Sequence, residues 1–198
     1  MASSSMVSFC MDIDIRIDNL NFVIFNPNFP YRPGYAVFRS EDGILFALDV
    51  ERLWIATGHK AFDTSSSLIP GVADVPYPSY ILERLFLCLY PIPFPSFKEM
   101  EFHELILFGK AANHFCICSA TALNLAYLRN YIHQFPKDIL AFAVDCGYDF
   151  LIDEIAATDF LKAPLSEVAG LLPDPLFRLW CLQRDSVMNS STDYLTSH

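Results

Sequence analysis

Residues 74–93 read DVPYPSYILERLFLCLYPIP. The extended pair Asp74-Val75 meets Pro76 and Pro78, and Ser79 stands where an N-cap is expected. Ile81, Leu82, Leu85, Phe86 and Leu89 follow at i, i+1, i+4, i+5 and i+8, the spacing that stacks side chains on one face of a helix. The helix should stop at Tyr90-Pro91-Ile92-Pro93, because proline lacks an amide hydrogen and clashes with the preceding turn. Strand, proline turn, helix and hard stop make a packing device that contains no catalytic group.

Upstream of this stretch, Tyr35–Arg39, the turn Ser40-Glu41-Asp42-Gly43 and residues 44–48 read as a hairpin, with Asp-Gly supplying the positive φ of a tight turn. Asp49 then caps a helix over Val50–Thr57, with Leu53 and Trp54 inward, and Gly58 ends it. A short helix is expected within 59–67, followed by a short strand at 72–75. Residues 22–25 suit an edge strand. Farther back, Ile13, Ile15 and Ile17 alternate with Asp12, Asp14, Arg16 and Asp18, the two-residue period of a half-exposed strand. The Asp-x-Asp spacing there is no calcium loop, since Ile17 and Val23 occupy the places that require glycine and glutamate.

Downstream, residues 96–116 read as a second long helix carrying Phe102, Leu105, Ile106, Gly109, Ala112 and Phe115, widened by Leu107, Phe108 and Ala111. Leu85, Leu89, Leu105 and Ile106 are the expected core of this helical pair. A third helix at 120–134 turns Ala122, Leu125, Leu128 and Ile132 inward and Arg129 and Asn130 outward. Pro136 and Gly147 frame a helix by the usual proline-in, glycine-out asymmetry. Asp149 caps 150–161, short helices follow at 165–171 and 176–184, and 185–198 reads as a polar tail.

Composition narrows the function classes. Of 198 residues, 53% are hydrophobic and 18% charged, with eighteen Phe and a mean hydropathy of +0.31. Such a chain buries a large core or keeps apolar surface for a partner. The net charge of −10 and the lack of any basic run exclude a nucleic-acid partner, because phosphate binding needs clustered Lys and Arg. No membrane span is expected: the charge-free run 111–128 contains Asn113, His114, Ser119, Thr121 and Asn124, and the run 85–97 is broken by prolines. The first residues, MASSSMVSFCMDID, lack the basic-then-apolar pattern of a secretory signal. The six cysteines (Cys10, Cys88, Cys116, Cys118, Cys146 and Cys181) therefore read as reduced thiols in the cytoplasm or nucleus, most of them in the core, with Cys10 and Cys181 the more accessible.

One cluster could carry chemistry. His114, Cys116 and Cys118, with His103 eleven residues before His114, suggest a metal site or a cysteine-dependent enzyme as the alternative reading. Structural zinc sites, however, use cysteine pairs with two to four residues between them plus a second distant pair, whereas only Ile117 separates Cys116 from Cys118 and no second cysteine pair exists. Cys146 sits at a helix C-terminus, where the dipole opposes a thiolate. Glu99, Glu101 and Glu104 lie near a helix N-terminus, which favours their charge without any catalytic role. No nucleophile elbow, dinucleotide fingerprint or phosphate loop is present. Neither an enzyme, a cofactor nor a metal is expected.

The order of these elements resembles a BTB/POZ domain of the fungal type. The residues that carry the likeness are Ser40-Glu41-Asp42-Gly43-Ile44-Leu45-Phe46, Ala73-Asp74-Val75-Pro76, Leu85 through Pro91, and Ala111-Ala112-Asn113-His114-Phe115. Pro136, Leu140-Ala141-Phe142-Ala143, Gly147-Tyr148 and Pro164-Leu165-Ser166-Glu167-Val168 extend it, so it covers about residues 33–184. Two corners depart from the pattern: Asp49-Val50 stands where the family has His-Lys, and Thr57-Gly58-His59-Lys60-Ala61-Phe62 where its helix ends Ser-Pro before an aromatic. The resemblance implies an α+β fold, a small mixed sheet packed on a helical cluster and followed by a short all-α extension. The expected divisions are a tail with a strand at 1–32, a BTB/POZ-like domain at 33–134, a helical extension at 135–184 and a polar tail at 185–198.

The function it implies is that of a protein–protein interaction or adaptor module. Its partners would be a second copy of itself, a cullin-type ubiquitin-ligase scaffold or a transcriptional partner. Relatives often dimerise through the first helix and neighbouring N-terminal strands. On that basis Ile13, Ile15, Ile17, Leu53, Trp54 and Ile55 are the interface candidates.

Overall fold

A computed structural model describes residues 24–32, 34–58, 71–91 and 96–193. The alternating segment 12–18 and the short helix expected within 59–67 lie outside the described residues. The fold is mixed α+β. Three strands, β1 (Tyr35–Arg39), β2 (Leu45–Asp49) and β3 (Val72–Asp74), form a mixed sheet in the order β2-β1-β3. β1 pairs antiparallel with β2, Phe38 opposite Phe46, and parallel with β3, Phe38 opposite Ala73. Eight α-helices are described: α1 (Val50–Thr57), α2 (Ser79–Leu87), α3 (Phe102–Phe115), α4 (Cys118–Leu128), α5 (Pro136–Cys146), α6 (Asp149–Ala156), α7 (Leu165–Val168) and α8 (Asp174–Asp193).

The chain divides into two compact units, Met1–Met100 with Leu107–Leu123, and Glu101–Ile106 with Asn124–His198. The first unit holds the sheet. Because side chains alternate across a strand, the two sheet faces carry different sets. Val37, Leu45, Ala47 and Val72 are buried on one face beneath Phe25, Tyr31 and Tyr35. On the other, Phe38 and Phe46 meet Phe86 of α2 at ring-centroid distances of 5.8 and 5.4 Å, and Phe115 of α3 closes on Phe86 at 5.1 Å. Four of the eighteen Phe meet in this aromatic core. The outer edge of β2 is also occupied: the amide of Leu45 donates to Ile24 O, Asn26 N–H donates to Leu45 O, and the amide of Ala47 donates to Phe29 O. The edge strand expected at 22–25 is reduced, in the described part, to a single parallel bridge between Phe25 and Leu45.

The ends of α1 match their signals. Asp49 Oδ1 accepts from the amides of Glu51 and Arg52, and Gly58 takes the left-handed conformation at φ 64°. α2 differs. Ser79 is its first helical residue, and the cap comes from the hairpin turn: Ser79 N–H donates to Asp42 Oδ1 at 2.8 Å and Ser79 Oγ donates to Oδ2 at 2.5 Å. The hairpin turn and the helix start are thereby tied together across 37 residues.

Burial raises the Asp42 carboxyl, but the hydrogen bonds from Ser79, Ser40 and the backbone outweigh it and hold the group below its ordinary value of 3.8. A depressed carboxylate stabilises the fold above its unfolded pKa, and that stability is lost as pH falls through the folded value. Asp42→Ala removes the side chain that caps α2 and should cost about 1 kcal/mol near neutral pH, as the loss of a helix cap does. In urea titrations the gap from wild type should close below pH 4, and a gap that persisted there would place the cost elsewhere.

α3 begins at Phe102, later than the residue 96 expected. Residues 97–100 form a turn that buries Phe97 and Met100, and Glu104 reaches back to accept from the amide of Glu101, one half of a capping box. At its other end Cys116 adopts a left-handed conformation (φ 57°), with Cys116 N–H bonded to Asn113 O and Ile117 N–H to Ala112 O. This is a Schellman ending, the same one that Gly147 supplies to α5, but on a residue with a Cβ.

Leu85 and Leu105 are buried as expected, whereas Leu89 and Ile106 are half-buried. Leu89 falls past the end of α2, where the chain already turns, so it leaves the helical stripe. In α4 the inward side is Ala120, Asn124 and Leu128; Ala122 is exposed and Leu125 half-buried, against expectation. Asn124 is fully buried and donates to Leu105 O at 2.8 Å.

In the second unit, Gly147 ends α5 as expected. α6 takes Asp149 as its first residue rather than its cap, and it ends at Ala156, where the Thr158 hydroxyl donates to Ile155 O and accepts from Phe160 N. The single helix expected at 150–161 is thus α6 and a 3-10 turn, Asp159–Lys162. α7 stops at Val168, and α8 runs through Asp193 instead of ending at 184. The stretch from 185 to 193 is helix where a polar tail was expected. Among the described residues no helix is long and apolar enough to cross a membrane.

Candidate interaction surface

α1 is held at both ends, by Asp49 at its start and the left-handed Gly58 at its finish, so its side chains are presented on a fixed frame. Leu53 is buried and anchors the helix, but Trp54, expected inward, is 37% exposed and Ile55 is 73% exposed. One residue along a helix is a rotation of about 100°, which carries Trp54 from the core to its rim. Thr57 takes the inward place. Next to them Arg52 sets its guanidinium 5.3 Å from the centre of the Tyr90 ring, the aromatic before the Pro91 stop. Burial, with the neighbouring Tyr35 and Asp49, pushes the Tyr90 phenol up, so that corner carries a neutral ring under a cation. Of the six interface candidates, α1 brings Leu53, Trp54 and Ile55 together; Ile13, Ile15 and Ile17 lie outside the described residues.

The His114/Cys116/Cys118 cluster does not converge. His114 packs edge-on against Tyr77 at 5.6 Å, while the Cys118 thiol donates to Cys116 O at 3.8 Å. Among the described residues, no three His, Cys, Asp or Glu side chains gather so as to hold a metal.

The cysteines themselves require a correction. Cys116 and Cys118 are exposed and Cys88, Cys146 and Cys181 half-buried, where a core position had been expected for most. For Cys116 and Cys118 the reason is the left-handed turn at Cys116, which sets both outward between α3 and α4. Burial pushes the Cys88 thiol up to about 12. In native protein, alkylation at pH 8 should reach Cys116 and Cys118 within the time that leaves Cys88 untouched. Equal labelling of Cys88, read by peptide mass, would contradict its placement.

An open groove beside the hairpin turn is lined by Arg39, Ser40, Glu41, Gly43, Asp74 and Val75, with Pro76 at its end. Three of its polar side chains, Arg39, Asp74 and Ser40, are committed to the fold. Arg39 grips Asp74 with two bonds, Nε to Oδ1 at 2.6 Å and an Nη to Oδ2 at 2.7 Å. Ser40 Oγ donates to Ile44 O and accepts from Ile44 N. The bidentate pair ties β1 to the end of β3, which no sequence spacing could foretell.

No family model, no curated protein and no solved structure matches the chain.

Proposed function

We propose that this chain is a protein–protein interaction module of the BTB/POZ type and that α1 is its contact helix. The observation that carries the reading is Trp54 and Ile55 standing exposed on a helix anchored by Leu53 and capped at both ends. Large apolar side chains fixed on a rigid frame suit an interface, where tryptophan is among the residues that carry most binding energy. Support also comes from the order of elements: a hairpin, a capped helix, a third strand, then a helix, α2, that ends at Leu87, three residues before Tyr90-Pro91. That order is the one the resemblance implies. The exposed thiols of Cys116 and Cys118 suit a reducing compartment, cytoplasm or nucleus.

The partner is a second copy of the chain, and the resemblance adds a cullin-type ubiquitin-ligase scaffold or a transcriptional partner. The net charge of −10 opposes self-association. Screening over about 8 Å at physiological salt leaves buried apolar contact as the larger effect. Light scattering on the full chain should give a dimer at low micromolar concentration, weakened when residues 1–18 are deleted. A monomer throughout that range would overturn self-association through this face.

A further inference from the structure

α8 presents a second apolar face, in the other unit. Trp180 turns into the core and meets Phe160 edge-on at 6.1 Å, while Leu179 and Leu182 are 62% and 67% exposed. With Ser186 they recur at i, i+3 and i+7, a narrow stripe on the side of the helix away from Trp180. Arg178 and Asp185 lie seven residues apart along one flank of that stripe, both exposed and neither in an ion pair among the described residues. The backbone stays helical to Asp193, so the whole stripe lies inside regular helix.

We propose that this face pairs with the α8 of a second copy, antiparallel, about a two-fold axis midway between residues 178 and 185. In an antiparallel helix pair each flank meets the same flank of its mate. The axis then sets Arg178 against Asp185 of the second copy, and Asp185 against its Arg178, while the leucines close between them. A parallel pair would turn this flank toward Gln183 and lose both ion pairs. The charges thus select a second copy and its direction, and two leucines per chain make the contact weak. An interface at this site is independent of α1 and lets a chain already paired through α1 associate further.

The test uses the full chain carrying Trp54→Glu, so that pairing through α1 does not contribute. Sedimentation velocity should show a monomer–dimer equilibrium at high micromolar concentration. Arg178→Glu, which sets like charges opposite one another twice, should weaken it about tenfold. Arg178→Glu with Asp185→Arg should restore it, and Leu179→Glu with Leu182→Glu should abolish it while circular dichroism stays unchanged. A Trp54→Glu chain that remains monomeric at high micromolar concentration would overturn the proposal, as would a charge swap that fails to restore association. An α1 reading that fails because the wild-type chain is already a monomer at low micromolar concentration would not affect these outcomes.

Discussion

Phe86→Ala is expected to remove about 3–5 kcal/mol of stability, enough to leave a small unit marginal or unfolded at physiological temperature. Phe86 is fully buried, and its ring contacts Phe115, Phe46, Phe38 and Phe29 at 5.1, 5.4, 5.8 and 6.1 Å between centroids. Two of those neighbours come from the β1–β2 hairpin, one from α3 and one from the segment that lines the edge of β2. Truncation would open a cavity bordered by four rigid rings, which cannot collapse to fill it. Edge-to-face geometry adds to the loss, since these pairs contribute beyond the area they bury. Urea denaturation gives the number directly. Ile55→Ala is the control, because a residue 73% exposed should change stability by less than about 0.5 kcal/mol. A Phe86→Ala cost below about 1 kcal/mol would mean that α2 does not pack on this face of the sheet.

The second large effect is on association. Trp54→Glu places a charge in the middle of the proposed α1 contact, where Trp54 and Ile55 would be covered. A central tryptophan typically carries 2 kcal/mol or more of binding energy, and a carboxylate buried there without a partner adds its own desolvation cost. The dimer should weaken by at least about thirtyfold, since each 1.4 kcal/mol is a factor of about ten. Stability should change little, because Leu53, not Trp54, anchors the helix.

What could be read from the residues was what local chemistry decides. Asp49 and Gly58 bracket α1, Pro136 and Gly147 bracket α5, and Asp42-Gly43 turns the hairpin; each signal acts within a few residues of its effect. Contacts made across the chain were hidden. Ser79 has the chemistry of an N-cap, but Asp42, 37 residues earlier, supplies the cap and moves the helix start by one residue.

α4 shows a different limit. Ala120, Ala122, Leu123, Leu125, Ala126 and Leu128 surround the helix, so periodicity carries no phase, and the inward side is the one where Asn124 Nδ2 donates to Leu105 O. For Cys116 no spacing rule anticipates a left-handed turn on a residue other than glycine, and the exposure of two thiols follows from it. At the candidate surface the pattern placed Leu53 correctly and misplaced Trp54. An eight-residue helix has too few turns to separate a core position from its rim.

The most direct test of α1 as an interaction surface is sedimentation velocity of wild type and Trp54→Glu, side by side at the same low micromolar concentration. Wild type should sediment as a dimer and Trp54→Glu as a folded monomer. Equal masses for the two chains would contradict the account.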